Sequence, residues 1–190
     1  MKSQEPIMFI TSNEHKFKEA ESVLKDCGIT ISHKRLRYDE ARKDSCAEVA
    51  AISAEECYRR FKKPLFVEDS GLFISELNGF PGTYSAWVFS CIGNGGVLRI
   101  LRGSRRREAR FVSAVAYVDK SGVHVFEGEV QGRLADRVRG AKGFGYDPIF
   151  IPEGWGETYG ESDEAKKETS HRMRSLLKFA QWFKRKGTKR

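Results

Sequence analysis

The chain has 190 residues, of which 39% are hydrophobic and 12% are aromatic, and its formal net charge is +8. This composition excludes global disorder and suits one domain with a full core or two small lobes that share a sheet. No apolar run approaches the roughly 20 residues that span a bilayer, and an acidic residue and a proline interrupt the first six positions, so a cytoplasmic protein is expected. The four cysteines are widely separated and form no Cys-x-x-Cys pair, so their spacing indicates neither a zinc site nor a disulfide scaffold.

Predicted strands and helices alternate in the first third of the chain, which indicates an α/β core with parallel strand pairs. The predicted strands are residues 7–10, 30–35 and 65–67, and the predicted helices are residues 14–26 and 45–61. Further on, we predict short helices at residues 84–90 and 95–101, a hairpin of residues 109–118 and 123–131, and an amphipathic helix that begins after Ser170. The sheet should therefore be mixed. Residues 1–190 contain no linker, so we predict a single domain.

The loop of residues 11–16, between the first strand and the first helix, carries polar groups that suit a phosphate. Ser12, Asn13 and Lys16 offer a hydroxyl, an amide and a cation beside backbone N–H groups at a helix start. The loop lacks the glycines of a Walker motif. Helix capping by Ser12 or Asn13 explains the same residues equally well.

Adjacent carboxylates follow the third predicted strand. Glu68 and Asp69 come directly after three apolar residues and precede Ser70. Neighbouring strand residues point in alternate directions, so one carboxylate can meet a cation while the other reaches a water molecule. Such hard oxygen donors suit Mg²⁺ bound together with substrate phosphates. A solvated acidic loop is the alternative interpretation.

Two segments near the end of the chain suggest a site for a flat ring. Residues 143–150 place Phe144, Tyr146 and Asp147 on a backbone of glycines and a proline, although a turn whose rings fill the core fits the same pattern. His171 and Arg172 lie in the first turn of a helix, where the helix dipole disfavours positive charge unless an anionic or electron-rich partner lies nearby. We interpret both as ligand contacts, and exposure to water is the alternative.

Five motifs follow one another between Phe9 and Phe183. They are Ser12-Asn13 with Lys16, Val67-Glu68-Asp69-Ser70-Gly71-Leu72, Gly79-Phe80-Pro81-Gly82-Thr83-Tyr84-Ser85-Ala86, Gly143-Phe144-Gly145-Tyr146-Asp147-Pro148 and Ser170-His171-Arg172. In identity and order they resemble the motifs of the inosine triphosphate pyrophosphatase family, the noncanonical purine NTP pyrophosphatases. The resemblance covers nearly the whole chain.

The resemblance implies an elongated, two-lobed α/β fold around a long mixed central sheet, with flanking helices and a cleft between the lobes. It implies Mg²⁺-dependent hydrolysis of ITP, dITP or XTP to the nucleoside monophosphate and pyrophosphate, which removes damaged nucleotides from the pool. The family is usually homodimeric, and its partner is a small purine nucleotide rather than a membrane or a specific nucleic acid.

The resemblance also assigns roles to individual residues. Asp69 becomes the catalytic base or water-orienting group. The triphosphate contacts are Ser12, Asn13, Lys16, Ser70 and Lys166, the metal ligands are Glu40, Glu68 and Asp69, and the base contacts are Phe144, Tyr146, Asp147, His171 and Arg172. Asp39 or Asp44 could take the place of Glu40. Ser53 stands where many relatives have a lysine, and Tyr146 stands where some have a tryptophan.

Two other functions remain open from the sequence. One is a Maf-like pyrophosphatase that acts on modified pyrimidine nucleotides, against which the Ser170-His171-Arg172 helix start argues. The other is a basic nucleic-acid-binding module that would use residues 105–107 and the basic tail. That module would need exposed aromatic residues or a recognition helix, and the sequence displays neither.

Overall fold

The computed structural model describes residues 5–36 and 43–188, which form a mixed α/β fold. Within these ranges, no helix is both long enough and apolar enough to cross a membrane. The strands are β1 Ile7–Ile10, β2 Ile31–Lys34, β3 Leu65–Ile74, β4 Pro81–Gly82, β5 Glu108–Asp119, β6 Gly122–Leu134 and β7 Phe150–Pro152. The α-helices are α1 Glu14–Asp26, α2 Cys46–Phe61, α3 Ser85–Ile100, α4 Asp163–Thr169 and α5 His171–Thr188, and short 3₁₀ turns lie at Ser75–Leu77 and Asp147–Ile149.

A single seven-stranded sheet organises these elements, in the order β2-β1-β3-β5-β6-β7 with β4 paired to β3. Strand β1 pairs in parallel with both β2 and β3. The β3–β4 and β6–β7 pairs are antiparallel. The prediction of a mixed central sheet with flanking helices is therefore confirmed.

The chain divides into two compact units, each of which has its own hydrophobic core. Unit 1 comprises Met1–Asp69, Ser113–Gly128 and Arg172–Arg190, and unit 2 comprises Ser70–Val112 and Glu129–His171. Phe9, Phe66 and Phe179 lie at the centre of the core of unit 1. Phe150 and Tyr159 lie in the core of unit 2. That residues 1–190 fold as one domain stays a prediction.

Local signals explain where the helices of unit 1 begin and end. The Asn13 side chain caps α1 by accepting hydrogen bonds from the N–H groups of His15 and Lys16. The Ser45 hydroxyl accepts from the N–H of Ala47 at the start of α2. Helix α2 ends at Phe61, and its C-cap Lys62 adopts a left-handed conformation shortly before Pro64.

The segment of residues 79–86 packs closely against β3 in unit 2. The Ser85 hydroxyl accepts from the N–H of Leu72 at 2.8 Å and donates to the carbonyl of Gly82 at 2.7 Å. A Cβ atom on Gly71 would lie 2.2 Å from that same carbonyl oxygen. Only glycine therefore permits this approach, which accounts for the glycine and serine positions of the motif.

The structure extends one predicted strand, agrees with the two short helices and adds one helix that was not predicted. Strand β3 runs to Ile74 rather than to residue 67, because pairing with β4 carries it past its polar residues. The two short helices predicted at residues 84–90 and 95–101 agree with α3, which consists of two helical segments that meet at a kink at Gly93, where φ is 58°. Helix α4 was not predicted, since its seven residues carry almost no apolar periodicity.

Candidate functional site

A cluster of buried charged residues lies in unit 1 at the point where β3 leaves its parallel pairing with β1. Strand β3 pairs with β1 at Leu65 and Phe66, and Glu68 and Asp69 follow with 4% and 7% of their surface exposed. The carboxyl ends of parallel strands meet at one edge of a sheet, so the loop after β1 lies at this edge too. We call Lys16, Glu19, Glu68, Asp69, Ser113 and Arg172 the carboxylate cluster.

Two cations and a hydroxyl hold the Glu68 side chain. Its carboxylate oxygens lie 3.0 Å from Lys16 Nζ and 3.2 Å from Arg172 Nε. The Ser113 hydroxyl donates to it at 2.7 Å. Burial alone would raise the pKa of Glu68, but the charges of Arg172 and Lys16 and the Ser113 hydrogen bond lower this pKa to about 2. Glu68 is therefore ionised at every physiological pH.

Arg172 bridges two carboxylates. Its guanidinium donates to Glu68 and to Glu19 and is almost fully buried. These two anions offset the unfavourable position of the cation in the first turn of α5, so the anionic partner that the sequence required is supplied by the protein. Burial lowers the pKa of Lys16, and the charge of Glu68 outweighs it, so the pKa is raised and Lys16 stays protonated.

Asp69 has different neighbours from Glu68. The Cys46 thiol, at the start of α2, is 1% exposed and lies close enough to Asp69 to be affected by the charge of its carboxylate. Burial raises the pKa of this thiol, and the charges of Asp69 and Glu68 raise it further. Cys46 is therefore a thiol rather than a thiolate.

The structure places the polar loop of residues 11–16 in a capping role as well. The Asn13 oxygen caps α1, which agrees with the structural alternative noted for this residue. Ser12 is exposed, whereas Ser70 is half-buried in unit 2. Their triphosphate contacts stay predictions.

In unit 2, the glycine-rich segment and α4 form a small site of three residues, Phe144, Asp147 and Lys166, which we call the aromatic socket. The Asp147 carboxylate accepts from the N–H of Phe144 and from Lys166 Nζ, each at 2.7 Å. The same ammonium group lies 4.6 Å from the centre of the Phe144 ring. A Cβ atom on Gly143 would lie 2.1 Å from an Asp147 oxygen, so this turn requires glycine. Lys166, predicted to contact phosphate, is held in this aromatic socket.

The other two rings predicted to contact the base have distinct positions within unit 2. Tyr146 is 4% exposed, packs edge-on against Phe89 and donates its hydroxyl hydrogen to the Ser85 carbonyl at 3.0 Å. It belongs to the core, as the alternative interpretation of this segment allowed. His171 is buried and stacks on Phe111, with ring centres 4.6 Å apart and planes inclined by 10°.

Several predicted positions are not joined to these groups. Glu40 and Asp39 lie outside the described residues, and Asp44 is exposed. Ser53 is 1% exposed, and its hydroxyl has no hydrogen-bond partner within residues 5–36 and 43–188.

Sequence reasoning missed Glu19, Ser113, Cys46 and Phe111. A signal existed for two of them. Glu19 lies three residues after Lys16 on α1, so both face the same side of the helix. Ser113 is a polar residue inside the apolar strand β5. Nothing local distinguished Cys46 from other buried cysteines, or Phe111 from other core aromatic residues.

The donor set at this edge suits a hard cation. Within the described ranges, no group of three or more His, Cys, Asp and Glu residues forms a metal cage. Mg²⁺ usually needs only one or two carboxylates together with substrate phosphates and water. Asp69 and Glu68 meet that requirement, and the charge of Glu68 is already balanced by Lys16 and Arg172.

Comparison with known proteins gives one consistent assignment. Residues 7–182 match the model of the Ham1 family. The dITP/XTP pyrophosphatase of Methanopyrus kandleri is 48% identical over 94% of this chain and 96% of its own length. That of Thermococcus kodakarensis is 43% identical over 94% of this chain and 97% of its own length.

Solved structures agree with this assignment. A HAM1 protein from Coxiella burnetii superposes with a TM-score of 0.80 at 26% identity, covering 96% of this chain and all of that one. The Staphylococcus aureus Ham1 protein gives a TM-score of 0.77 at 27% identity, covering 94% of this chain and 98% of that one. The resemblance stated from the motifs is confirmed, and the chain belongs to the Ham1 family.

Proposed function

We propose that this protein hydrolyses noncanonical purine nucleoside triphosphates, namely dITP, XTP and ITP, to the monophosphate and pyrophosphate. The observation that carries the proposal is the buried Glu68–Asp69 pair beside Lys16, in a chain that matches the Ham1 family from residue 7 to residue 182. Relatives 43% and 48% identical are dITP/XTP pyrophosphatases, which supports the same substrates here. The enzyme would thereby remove damaged nucleotides from the pool.

We assign to Asp69 the role of positioning the water molecule that reacts. A water oxygen bonds to the α-phosphorus, the bond from that phosphorus to the bridging oxygen breaks, and pyrophosphate leaves. Asp69 orients the water and accepts its proton. Glu68 is less suited to this task, because its carboxylate is engaged by Lys16, Arg172 and Ser113 and its pKa of about 2 makes it a weak base.

We assign Mg²⁺ to the carboxylates of Asp69 and Glu68, with Glu40 as the third predicted ligand. A bound Mg²⁺ would neutralise charge on the phosphate oxygens and on the departing pyrophosphate. Asp69 is the first choice of the two described carboxylates, since Glu68 would have to share its oxygens with two cations. Lys16, which stays protonated, supplies positive charge at the same edge of the sheet.

The base is assigned to the aromatic socket and to His171. Phe144 is half-buried and offers a ring on which a purine can stack. The 6-oxygen of hypoxanthine or xanthine accepts hydrogen bonds, whereas the 6-amino group of adenine donates them. Donors such as Lys166, His171 or a backbone N–H would therefore favour hypoxanthine and xanthine. With adenine, the same donor would face the 6-amino group and stay unpaired, which disfavours binding of adenine.

Pyrophosphate release across a nucleotide panel tests this proposal. The purified chain should release pyrophosphate from dITP, XTP and ITP in the presence of Mg²⁺, with much slower release from ATP and no release after chelation. A preference for ATP would overturn the substrate assignment. Release from modified pyrimidine triphosphates instead of purines would favour the Maf-like alternative.

We further propose a cytoplasmic homodimer. Four free thiols among the described residues agree with a reducing compartment, and the nucleotide pool that supplies the substrate is located there. The dimer follows from the family resemblance. Light scattering at micromolar protein concentration tests it, and a mass of one chain would contradict it.

A further inference from the structure

Two buried serines of unit 1 take no part in the reaction as proposed above. Ser113 lies in β5 and Ser175 in α5, both are fully buried, and their hydroxyl oxygens are 2.9 Å apart. A buried hydroxyl group costs free energy unless it is hydrogen-bonded. The partners of the pair therefore indicate what it does: Ser113 contacts the carboxylate of Glu68, and Ser175 contacts the backbone carbonyl of Arg172.

The number of hydroxyl hydrogens fixes the direction of these contacts. Each serine has one hydrogen to donate. Glu68 is ionised beside two cations and has none, so the Ser113 hydrogen goes to its Oε1 atom at 2.7 Å. The Ser113 oxygen then accepts from Ser175, whose hydrogen is shared with the Arg172 carbonyl at 2.9 Å. Donation therefore runs from Ser175 to Ser113 and from Ser113 to Glu68.

The two carboxylate oxygens of Glu68 consequently have different surroundings. The Oε1 atom accepts from Ser113 at 2.7 Å and from Arg172 Nε at 3.2 Å. The Oε2 atom is buried and accepts no hydrogen bond within residues 5–36 and 43–188, and the Lys16 ammonium group lies 3.0 Å from it. Donors from two different elements, β5 and α5, thus fix Oε1, so the carboxylate resists rotation and Oε2 stays next to Lys16.

Loss of the Ser113 donor would change which cation Glu68 favours. A guanidinium group binds a carboxylate best through two parallel hydrogen bonds, one to each oxygen. With Arg172 as the remaining donor to Oε1, the carboxylate would turn toward this arrangement and move Oε2 away from Lys16. We infer that Ser113, supported by Ser175, is a positioning residue that keeps the Lys16 ammonium group in place for the triphosphate. The inference rests on the proposed function, in which Lys16 contacts the substrate phosphates.

The chain contains a matched control for this inference. Ser53 lies on α2 in the same unit, is 1% exposed, and its hydroxyl has no hydrogen-bond partner among the described residues. Replacing Ser53 or Ser113 by alanine removes the same oxygen atom from a buried position. The two variants therefore differ in the hydrogen bonds that Ser113 makes, and not in the size of the atom lost.

Steady-state hydrolysis of dITP with saturating Mg²⁺ tests the inference. The phosphates assigned to Lys16 are charged in the substrate and in the transition state alike, so displacement of its ammonium group should act mainly on KM. Ser113→Ala should raise KM about fivefold, the equivalent of one neutral hydrogen bond, with kcat within about twofold. Ser113→Thr keeps the hydroxyl and should restore KM to within about twofold of the original value. Ser53→Ala should leave KM unchanged.

Three results would overturn the inference. They are equal KM values for the two alanine variants, a loss in Ser113→Ala that falls on kcat alone, and a folded Ser113→Thr with the KM of Ser113→Ala. Thermal unfolding shows whether the threonine variant is folded. If threonine disturbs the packing around residue 113, the double-mutant cycle with Lys16→Met decides.

That cycle shows whether Ser113 acts through Lys16. In the Lys16→Met background no ammonium group remains to be positioned, so Ser113→Ala should raise KM no further. A full additional fivefold rise, about the effect of one hydrogen bond, would place the role of Ser113 elsewhere and overturn the inference. Absence of pyrophosphate release by the unaltered chain would instead reject the proposed function. Normal release by the unaltered chain, together with an unchanged KM in Lys16→Met, would reject the inference and leave that function standing.

Discussion

The carboxylate cluster of unit 1 and the aromatic socket of unit 2 use buried charge in different ways. In the cluster, Glu68 is shared between two cations, and Arg172 is shared between two carboxylates. In the socket, one carboxylate, Asp147, meets one cation, Lys166, beside a ring that stays half-exposed. The cluster therefore depends on every member for its charge balance, whereas the socket leaves a face for a ligand.

This difference separates chemistry from recognition. A carboxylate that must orient water or hold a cation needs a fixed place in a low-dielectric environment. A base needs a flat surface and a few directed hydrogen bonds. Changes in the cluster should therefore reduce stability or turnover for every substrate, while changes in the socket should alter apparent affinity and the choice of base.

The largest expected effect concerns the buried cation of the cluster. Arg172→Met leaves Glu68 and Glu19 without their shared partner, and breaking such a buried pair costs about 3–5 kcal/mol. Denaturant unfolding measures this loss directly. Arg35→Met is the control in the same unit, because the Arg35 side chain is 72% exposed and such a surface pair contributes at most about 1 kcal/mol. Equal losses in the two variants would contradict the central position of Arg172.

Acid should weaken the cluster in a defined pH range. The pKa of Glu68 is about 2 in the folded protein against an ordinary value of 4.5, so its contribution is complete above pH 4.5 and is lost as pH falls through about 2. That difference corresponds to about 3 kcal/mol. The unfolding free energy of Glu68→Gln should depend less on pH in this range, as followed by urea unfolding at successive pH values.

The pKa of Asp119 is also lowered, so this residue makes a separate contribution to the dependence of the unfolding free energy on pH. Burial opposes ionisation of this residue, but hydrogen bonds from Lys186 and Ser121 lower its pKa. Asp119→Asn should therefore remove a separate part of the pH dependence. An unchanged slope in Glu68→Gln would show that the cluster does not hold Glu68 ionised.

Turnover should depend most strongly on Asp69. Asp69→Asn keeps the size of the side chain and removes the base, so kcat should fall about a hundredfold or more for dITP and XTP alike. Thermal unfolding and nucleotide binding should change little. Near-normal turnover with either substrate would contradict the assignment, as would a loss confined to one base.

The smallest effect is expected in the socket. Phe144→Ala removes the exposed stacking face, and loss of stacking on one base should raise KM for dITP about tenfold with little change in kcat. Trp87→Ala is a suitable control in the same unit, since Trp87 is 67% exposed and lies outside the socket. A KM that stays at the original value would indicate that the base binds elsewhere.

Much of the fold could be predicted from local pattern. Strand β1 and helix α1 have the predicted bounds, because an apolar run followed by a capping residue and a helical stripe is a complete local signal. Strand β3 was predicted too short, since Glu68 and Asp69 interrupt its apolar run and only pairing with neighbouring strands keeps them extended. Helix α4 is short and polar, and its local signs are the N-cap at Ser162 and the acidic residues in its first turn, without an apolar stripe.

The site was predictable in composition but not in its connections. The motifs predicted Lys16, Asp69 and Asp147 as site residues, and their roles stay predictions. They did not reveal that Lys166 would meet Asp147, or that the ring of Tyr146 would pack in the core against Phe89. Both interpretations of the Tyr146 ring were compatible with its place between Gly145 and Asp147, because a turn does not specify which side chain faces the interior.

The sequence by itself determined the family, the order of the motifs and the nature of the reactive groups, because these depend on residue identity and spacing. Only the tertiary structure decided which charges meet. Glu68 and Arg172 are 104 residues apart in the chain, yet their contact decides whether a cation in the first turn of α5 is available to a ligand or is engaged by the protein. Contacts between distant segments follow from packing, and no local pattern specifies them.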